Sequence, residues 1–543
     1  MKNISKLIVG VCCSTTLLMT GCIDETFPTN GATSDQMSSS AKATEALLWA
    51  MPAYANKLDI YNQQPTEDPY GFDWGYGSIM HIRDVMTEDM PIVSSGYDHY
   101  DYWELNTGQG EGNLFPQYIW NYYWKYVQTS NNMIEALNPE SATPVQLGYL
   151  GVGYAYRAFL YLDLAQMFEF LENDKTSPVN AKGNNVLNLT VPIVKEGMTE
   201  EEARNNPRVT REKIAEFIFS DLTKAEEYIA NLALSIKTLP NLSVVYGLKA
   251  RYYMWLADYA KAQEYARKAI DTGTYRPMSK DEWLSPTNGF NDMSVASWMW
   301  GSKMSKEDDV VKSGILNWTS WMSNEALYGY AGAGPMVMIN ANLYNRMNNT
   351  DFRKLAWKAP VGSSLDGKNI YINESQAENM PEYASLKFRP AEGNTNVSNI
   401  GSSSAYPLMR IEEMYFIEAE AVAHQNEGKG RELLIGFMQS YRDPSYVCTA
   451  TGDDLIREIV TQKRIEFWEE GLTFFDVKRL NLPVTRGYEG TNFKEMARFN
   501  TTTRPAWMNI TIVQTEKNNN SALDGYENPD PSGLYIPWLG SGN

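Results

Sequence analysis

Between Val209 and Ile270 the sequence carries successive amphipathic stretches of helical length broken by a proline-marked turn, and this pattern restricts the chain to folds built from antiparallel helix pairs. Thr210 is placed to cap the first stretch, with Glu212 beside the positive end of its dipole, and the pattern runs on to Tyr228. After Pro240 come Val244 to Leu256 and Asp258 to Ile270. Here Ala250, Ala257, Ala262, Ala266 and Ala269 set small side chains where helices approach, and Tyr259 fills the turn. The same period predicts a ring-rich helix over 115–137 and a second over 146–172, joined at Asn138-Pro-Glu-Ser. It returns over 407–424, 431–441 and 453–471.

This is tetratricopeptide-like chemistry. Residues 273–405 differ, being rich in Gly, Ser, Asn, Trp and Met with few sustained periods. A long irregular region inside a compact protein carries function or small elements of its own. The expected architecture is a single, mainly α body, with a helical frame over about 41–272 and 407–480 and a loop-rich insertion over about 273–405.

Lys2 and Lys6 precede an apolar stretch, Leu7 to Met19, that ends in Leu18-Met-Thr-Gly-Cys22. This predicts an export leader over 1–21 with a lipobox, diacylglycerol on the Cys22 thiol, and a Ser/Thr/Gly-rich flexible tether over 22–40. An ordinary secretory leader with a chance cysteine is the alternative. No later segment approaches the ~18–20 apolar residues of a spanning helix, so the lipid is the one membrane attachment expected. With Cys12 and Cys13 in the leader and Cys22 acylated, Cys448 has no partner in its own chain. The body must then rely on its core, and 43% apolar composition suffices for one. A formal net charge of −19 argues against a nucleic-acid partner.

Most catalytic signatures are missing. His81, His99 and His424 are far apart and form no zinc motif, and there is neither a Gly-x-Ser-x-Gly elbow nor a Walker loop. A glycosidase stays open, because its two carboxylates need no fixed spacing. The positive finding is aromatic. Tyr97-Asp-His-Tyr-Asp-Tyr-Trp-Glu-Leu-Asn106 forms one cluster; Trp298 and Trp300, with Trp318, Trp321, Tyr328 and Tyr330, form another. Sugar rings present C–H faces between hydroxyls, which suits aromatic faces beside polar groups. Ligand contacts are expected from Tyr100, Tyr102, Trp103 and Asn106 and from Trp298, Trp300, Trp318 and Trp321. Arg83 and Asp89 are available to hydroxyls, although Arg83 could equally pair with Asp84 or Glu88. The bland alternative is that such rings plug helix ends, as expected of Trp120, Trp124 and Trp468.

Gln462-Lys-Arg-Ile-Glu-Phe-Trp-Glu-Glu-Gly-Leu-Thr-Phe-Phe-Asp-Val-Lys-Arg479 resembles the "ERR-x-EL-x-x-EG-x-R-x-x-DL-x-R" signature of the SusD/RagB family of Bacteroidetes outer-membrane lipoproteins. Arg157 to Ala165, Ala250 to Tyr275 and Arg410 to Ala421 resemble further family segments in the same order. Lys463 and Thr473 depart from the pattern, which predicts a weakened local salt bridge. Without any family, Arg464, Glu466, Glu470, Asp476 and Arg479 read as charges stapling a helix end to its neighbour. The resemblance implies a SusD-like fold, glycan platforms in the two aromatic regions, no catalysis, and capture of oligosaccharides for a SusC-like TonB-dependent transporter in the outer membrane. Relatives that take peptides leave a peptide ligand open, and a lipid-anchored glycosidase is the third reading. Asp24 and Glu25 resemble the acidic signals that send such lipoproteins to the outer face of the cell.

Overall fold

A computed structural model describes residues 40–61 and 68–540, so the expected leader, Cys22 and nearly all of the tether lie outside the described residues. Ser40 opens α1 (Ala41–Tyr54), its hydroxyl accepting from the Ala43 N–H. After α2 (Tyr76–Val85) come α3 (Leu114–Glu135) and α4 (Pro144–Phe168). Thr143 and Gln146 close a capping box on α4 with Pro144 in its first turn, so three consecutive choices of sequence agree on where it starts. From Leu150 to Phe168 α4 is buried on every side, the signature of a helix at the centre of a protein.

Around α4 pack α1, α3, α5 (Arg211–Ile229) and α6 (Leu242–Trp255). The crossing with α5 is close: a Cβ on Gly151 would sit 2.6 Å from the Ile229 backbone nitrogen. Thr210, Asn241 and Asp258 cap α5, α6 and α7 (Tyr259–Asp271) through their side-chain oxygens. Ala262, Ala266 and Ala269 of α7 are fully buried, and α7 lies against both α6 and α8 (Ile411–Gln425). That contact joins the two halves of the frame across the insertion. The frame continues with α9 (Glu427–Tyr441), α10 (Gly452–Glu466) and α11 (Thr473–Arg479).

Two boundaries depart from the sequence expectation. Residues 405–410 are not helix but a strand, β2 (Ala405–Arg410), paired antiparallel with β1 (Trp298–Lys303) from within the insertion, Trp298 opposite Arg410 and Lys303 opposite Ala405. Pro407 lies within the short strand opposite Gly301, beside the irregular register at Trp300, where its missing N–H is tolerated as it would not be inside a helix. The helix expected to reach Gly471 stops at Glu466, because the following turn places Glu469 and Gly471 at positive φ. The insertion itself holds short helices, among them Trp318–Met322 and Ala341–Asn345, linked by irregular chain.

The carboxylates of the C-terminal segment do staple elements together. Glu466 accepts from Arg353 (3.1 Å), Arg410 (3.1 Å) and Arg442 (2.7 Å), and Glu470 accepts from Lys387 (2.7 Å) and Arg410 (2.9 Å), all buried. Burial alone would raise the Glu466 pKa; Arg442, Arg410 and Arg353 outweigh it and hold the carboxyl well below its usual range. Lys463 does not weaken the local pairing as expected: its ammonium lies 2.8 Å from Asp476, which Arg479 also contacts at 2.7 Å.

Candidate functional site

A short two-chain ribbon brings the two aromatic regions together. The N–H of Val93 donates to Met336 O (3.0 Å), that of Met338 to Pro91 O (2.9 Å) and that of Asn340 to Asp89 O (2.9 Å). Just past one end of this ribbon, Gly334 comes so near Ser95 that a Cβ on it would lie 2.8 Å from the serine Cβ. The loop after residue 93 is thereby seated against residues 318–335. Asn317 caps the helix Trp318–Met322 by accepting from the Ser320 N–H at 3.0 Å, which fixes Trp321 beneath the loop.

The rings form two tiers. Trp321 is the floor: Tyr330 stacks on it (centroids 4.3 Å, 18° between planes), Tyr100 meets it edge-on at 4.8 Å, and His99 stands against it at 5.9 Å. Above it, Tyr97 and His99 contact Tyr330 at 5.6 and 5.4 Å. Trp321 and Tyr100 are buried, His99 and Tyr330 are half-buried, and Tyr97 is 51% exposed. A shallow depression is lined by Tyr97, Asp98, His99, Asp101, Trp321 and Pro335, among others. Two chain segments more than two hundred residues apart therefore contribute one aromatic face to solvent.

Residues 33–254 match a family model described as starch-binding associating with outer membrane, and residues 344–537 match that of the SusD family. The chain belongs to the SusD family. Solved structures agree on the fold. A SusD-like carbohydrate binding protein from Bacteroides vulgatus superposes with a TM-score of 0.67 at 20% identity, over 89% of this chain and 96% of its own. A SusD superfamily protein from Bacteroides thetaiotaomicron gives 0.65 at 18% identity over 89% and 98%, and a SusD-like carbohydrate binding protein from Bacteroides fragilis 0.62 at 15% over 90% and 99%. No curated protein matches the chain.

Within this SusD family member, most rings expected to meet ligand belong to the inner tier or to the core. Tyr100, Trp103, Trp298, Trp300, Trp318 and Trp321 are at most 2% exposed. Tyr100 accepts from the Trp74 indole N–H at 2.8 Å, Trp103 meets Phe72 and Phe115 edge-on, and Trp318 stacks on Tyr406 at 4.8 Å. Trp298 and Trp300 lie on β1, not on a loop, and Trp300 packs on Tyr156 and Phe159 of α4. The polar expectations go the same way. Buried Arg83 pairs with Asp163 (2.8 Å) and the Tyr76 hydroxyl (2.9 Å), choosing neither Asp84 nor Glu88. Buried Asp89 accepts from Arg464 at 2.9 Å, and Asn106 donates its amide to Pro531 O at 2.6 Å. Of the ten residues, Tyr102 alone is well exposed, at 45%, stacked on Phe115 with centroids 3.8 Å apart. Tyr97, His99 and Tyr330, the outer tier, belong to the two aromatic clusters of the sequence but not to the residues expected there to touch ligand. Their signal was Gly96 and Gly329 immediately before the two tyrosines, which mark where the chain turns toward solvent.

The layer under the rings is electrically quiet. Burial pushes the His81 pKa down to about 3, and its Nδ1 lies 2.6 Å from Glu469 Oε1. Burial raises the Glu469 carboxyl well above its ordinary range, and raises Asp84, with Glu469 adding to the effect. His99 is shifted downward by burial against the pull of Asp98, so it is neutral at neutral pH. Polar groups fringe the rings: Asp98 accepts from the Ser95 N–H at 2.8 Å, and Lys494 pairs with Asp101 and with Glu104 (2.7 Å). Among the described residues no group of three His, Cys, Asp or Glu side chains is placed to hold a metal ion, and no helix is long and apolar enough to cross a membrane. Neutral ring faces beside fixed carboxylates and amines suit stacking and hydrogen bonding to a hydroxyl-rich ligand.

Proposed function

We propose that this SusD family member is a cell-surface glycan-binding lipoprotein, anchored through Cys22, that captures oligosaccharides for uptake by a partner TonB-dependent outer-membrane transporter. The observation that carries the reading is the convergence of Tyr97, His99 and Tyr330 over Trp321 from two distant loops. Such a face offers a sugar its C–H-stacking partner, while Asp98, Asp101 and Lys494 stand within the same loop cluster to meet hydroxyls. Two fold relatives are themselves described as carbohydrate binding, and one matching family model is described as starch-binding associating with outer membrane, which supports the reading. Binding without bond cleavage is the expected action, with Tyr102 a further ring in contact.

A glycan array and affinity gels on residues 23–543 test this. Retention by at least one glycan, weakened in Tyr97→Ala/Tyr330→Ala and without new reducing ends, is the expected result. Retention of peptides with no carbohydrate affinity would replace the reading by a peptide-binding one, and release of reducing ends by pure protein would establish a hydrolase. Labelling of surface lysines on whole cells with a membrane-impermeant reagent locates the protein, and protection from that label would remove the outward orientation.

A further inference from the structure

A groove of about 870 Å³ lies away from the aromatic face, bounded by α10, the short helix Ala341–Asn345 and residues 482–485. Its volume falls in the range of ligand sites, roughly 300–1,000 Å³. The ribbon that seats the aromatic loop separates the two places: Glu88 and Asn340 line the groove at one end, and Ser95 and Gly334 meet at the other. Residues 88–93 run from the one place toward the other. No residue lining the groove belongs to the aromatic tiers.

The charges lining this groove are paired, with Arg464 shared between Glu88 and the buried Asp89 behind it. Glu88 pairs with Arg464 at 2.6 Å, Glu458 with Arg346 at 2.5 Å, and Asp454 with Arg457 at 3.4 Å. Three acids and three arginines line it and Asp89 behind Arg464 adds a further acid, so the groove has no surplus of positive charge to select an anion. What it offers instead is a dense set of donors and acceptors, the exposed Asn342 and Asn345 amides among them, beside the aliphatic surfaces of Leu482 and Pro483. Extended peptides are commonly taken up by adding to a strand edge, and two walls of this groove are helical. Mixed amides, paired ions and C–H surfaces match a neutral chain of hydroxyl-bearing rings.

We infer that this groove is a second binding site for neutral oligosaccharide, separate from the Tyr97–Tyr330 face. The inference rests on the glycan-binding reading of the protein and adds a site to it. A single glycan chain that occupies both places is held with avidity that neither site supplies alone.

The test uses full-length protein in detergent on an array of neutral oligosaccharides, comparing wild type, Tyr97→Ala/Tyr330→Ala, and both of these with Asn342→Ala/Arg457→Ala added. Asn342 and Arg457 are exposed, and an unchanged thermal midpoint verifies the fold of each variant. At least one glycan should still be held by the aromatic variant, with its binding falling about tenfold or more, ~1.4 kcal/mol, when the groove pair is replaced. If every glycan bound by wild type is lost with the aromatic pair alone, or is indifferent to the groove pair, the second site is overturned while the glycan function stands. Absence of any glycan binding by wild type removes both.

Discussion

The Glu466 centre and the Tyr97 face are both assembled from distant parts of the chain, yet they put that assembly to opposite uses. At Glu466 every charge is met: three arginines surround one carboxylate out of reach of water, and nothing is left over to bind with. At Tyr97 the inner rings are packed against one another while the outer ones still present a face to solvent. The residues that look most chemically active in the sequence, clustered arginines and glutamates, are thus the most inert in the structure. The proposed function rests on the rings left incompletely covered.

This contrast can be broken, starting with the largest effect. Arg410→Ala should leave Glu466 and Glu470 short of a buried partner and cost about 3–5 kcal/mol in chemical denaturation, enough to abolish folding in a marginal protein. A loss under about 1 kcal/mol would mean that the centre contributes little to the fold. Trp321→Ala should act on both sides of the comparison. Removing a buried indole costs about 3–5 kcal/mol, and glycan retention should fall with it because Tyr330 loses the ring it rests on. A variant that unfolds more easily but binds glycan normally would detach the floor from the face.

Tyr97→Ala sharpens the contrast in the other direction. Its stability should stay within about 0.5 kcal/mol of wild type while affinity for a bound glycan weakens about tenfold, as read by calorimetry. The smallest effect is a pH dependence in the frame. Burial would raise the Glu420 pKa, but Arg479 leads the groups that bring it down, to about 2, against an ordinary 4.5. A carboxylate depressed in this way stabilises the fold fully above its unfolded pKa and loses that contribution as pH falls toward 2. The difference in denaturation midpoint between wild type and Glu420→Gln should therefore shrink as pH is lowered from roughly 5 to roughly 3. A constant difference would assign the effect to packing.

The helices were legible because their signals are local. Thr210 sits as a cap where the sequence placed it, and the alanines of α7 face a partner as expected. The stapling role of Glu466 and Glu470 could also be read, since charges at a helix end seldom do anything else. That the two aromatic regions carry one site could be anticipated only through the family resemblance. Which rings would be wet could not. Tyr97 and Tyr100 sit three residues apart in one loop with the same chemistry, and what separates them is Trp74, Ser78 and Trp321 arriving from elsewhere to enclose the second. The strand at Trp298 was hidden for a similar reason. Its partner lies more than a hundred residues downstream, and both of its indoles are buried because helices cover it.

The packing of α7 on α8 has a consequence for how the chain reaches this state. Residues 259–271 find their second partner only at 411–425, so a ribosome or an export channel must release well over a hundred further residues before the alanine face of α7 can be covered. Contacts of such sequence separation slow folding, because the intervening chain must be closed into a loop before any packing rewards it. Until then the first half carries an open apolar seam, and any fragment ending ahead of residue 411 keeps that seam permanently, as a surface fit for aggregation or for a chaperone.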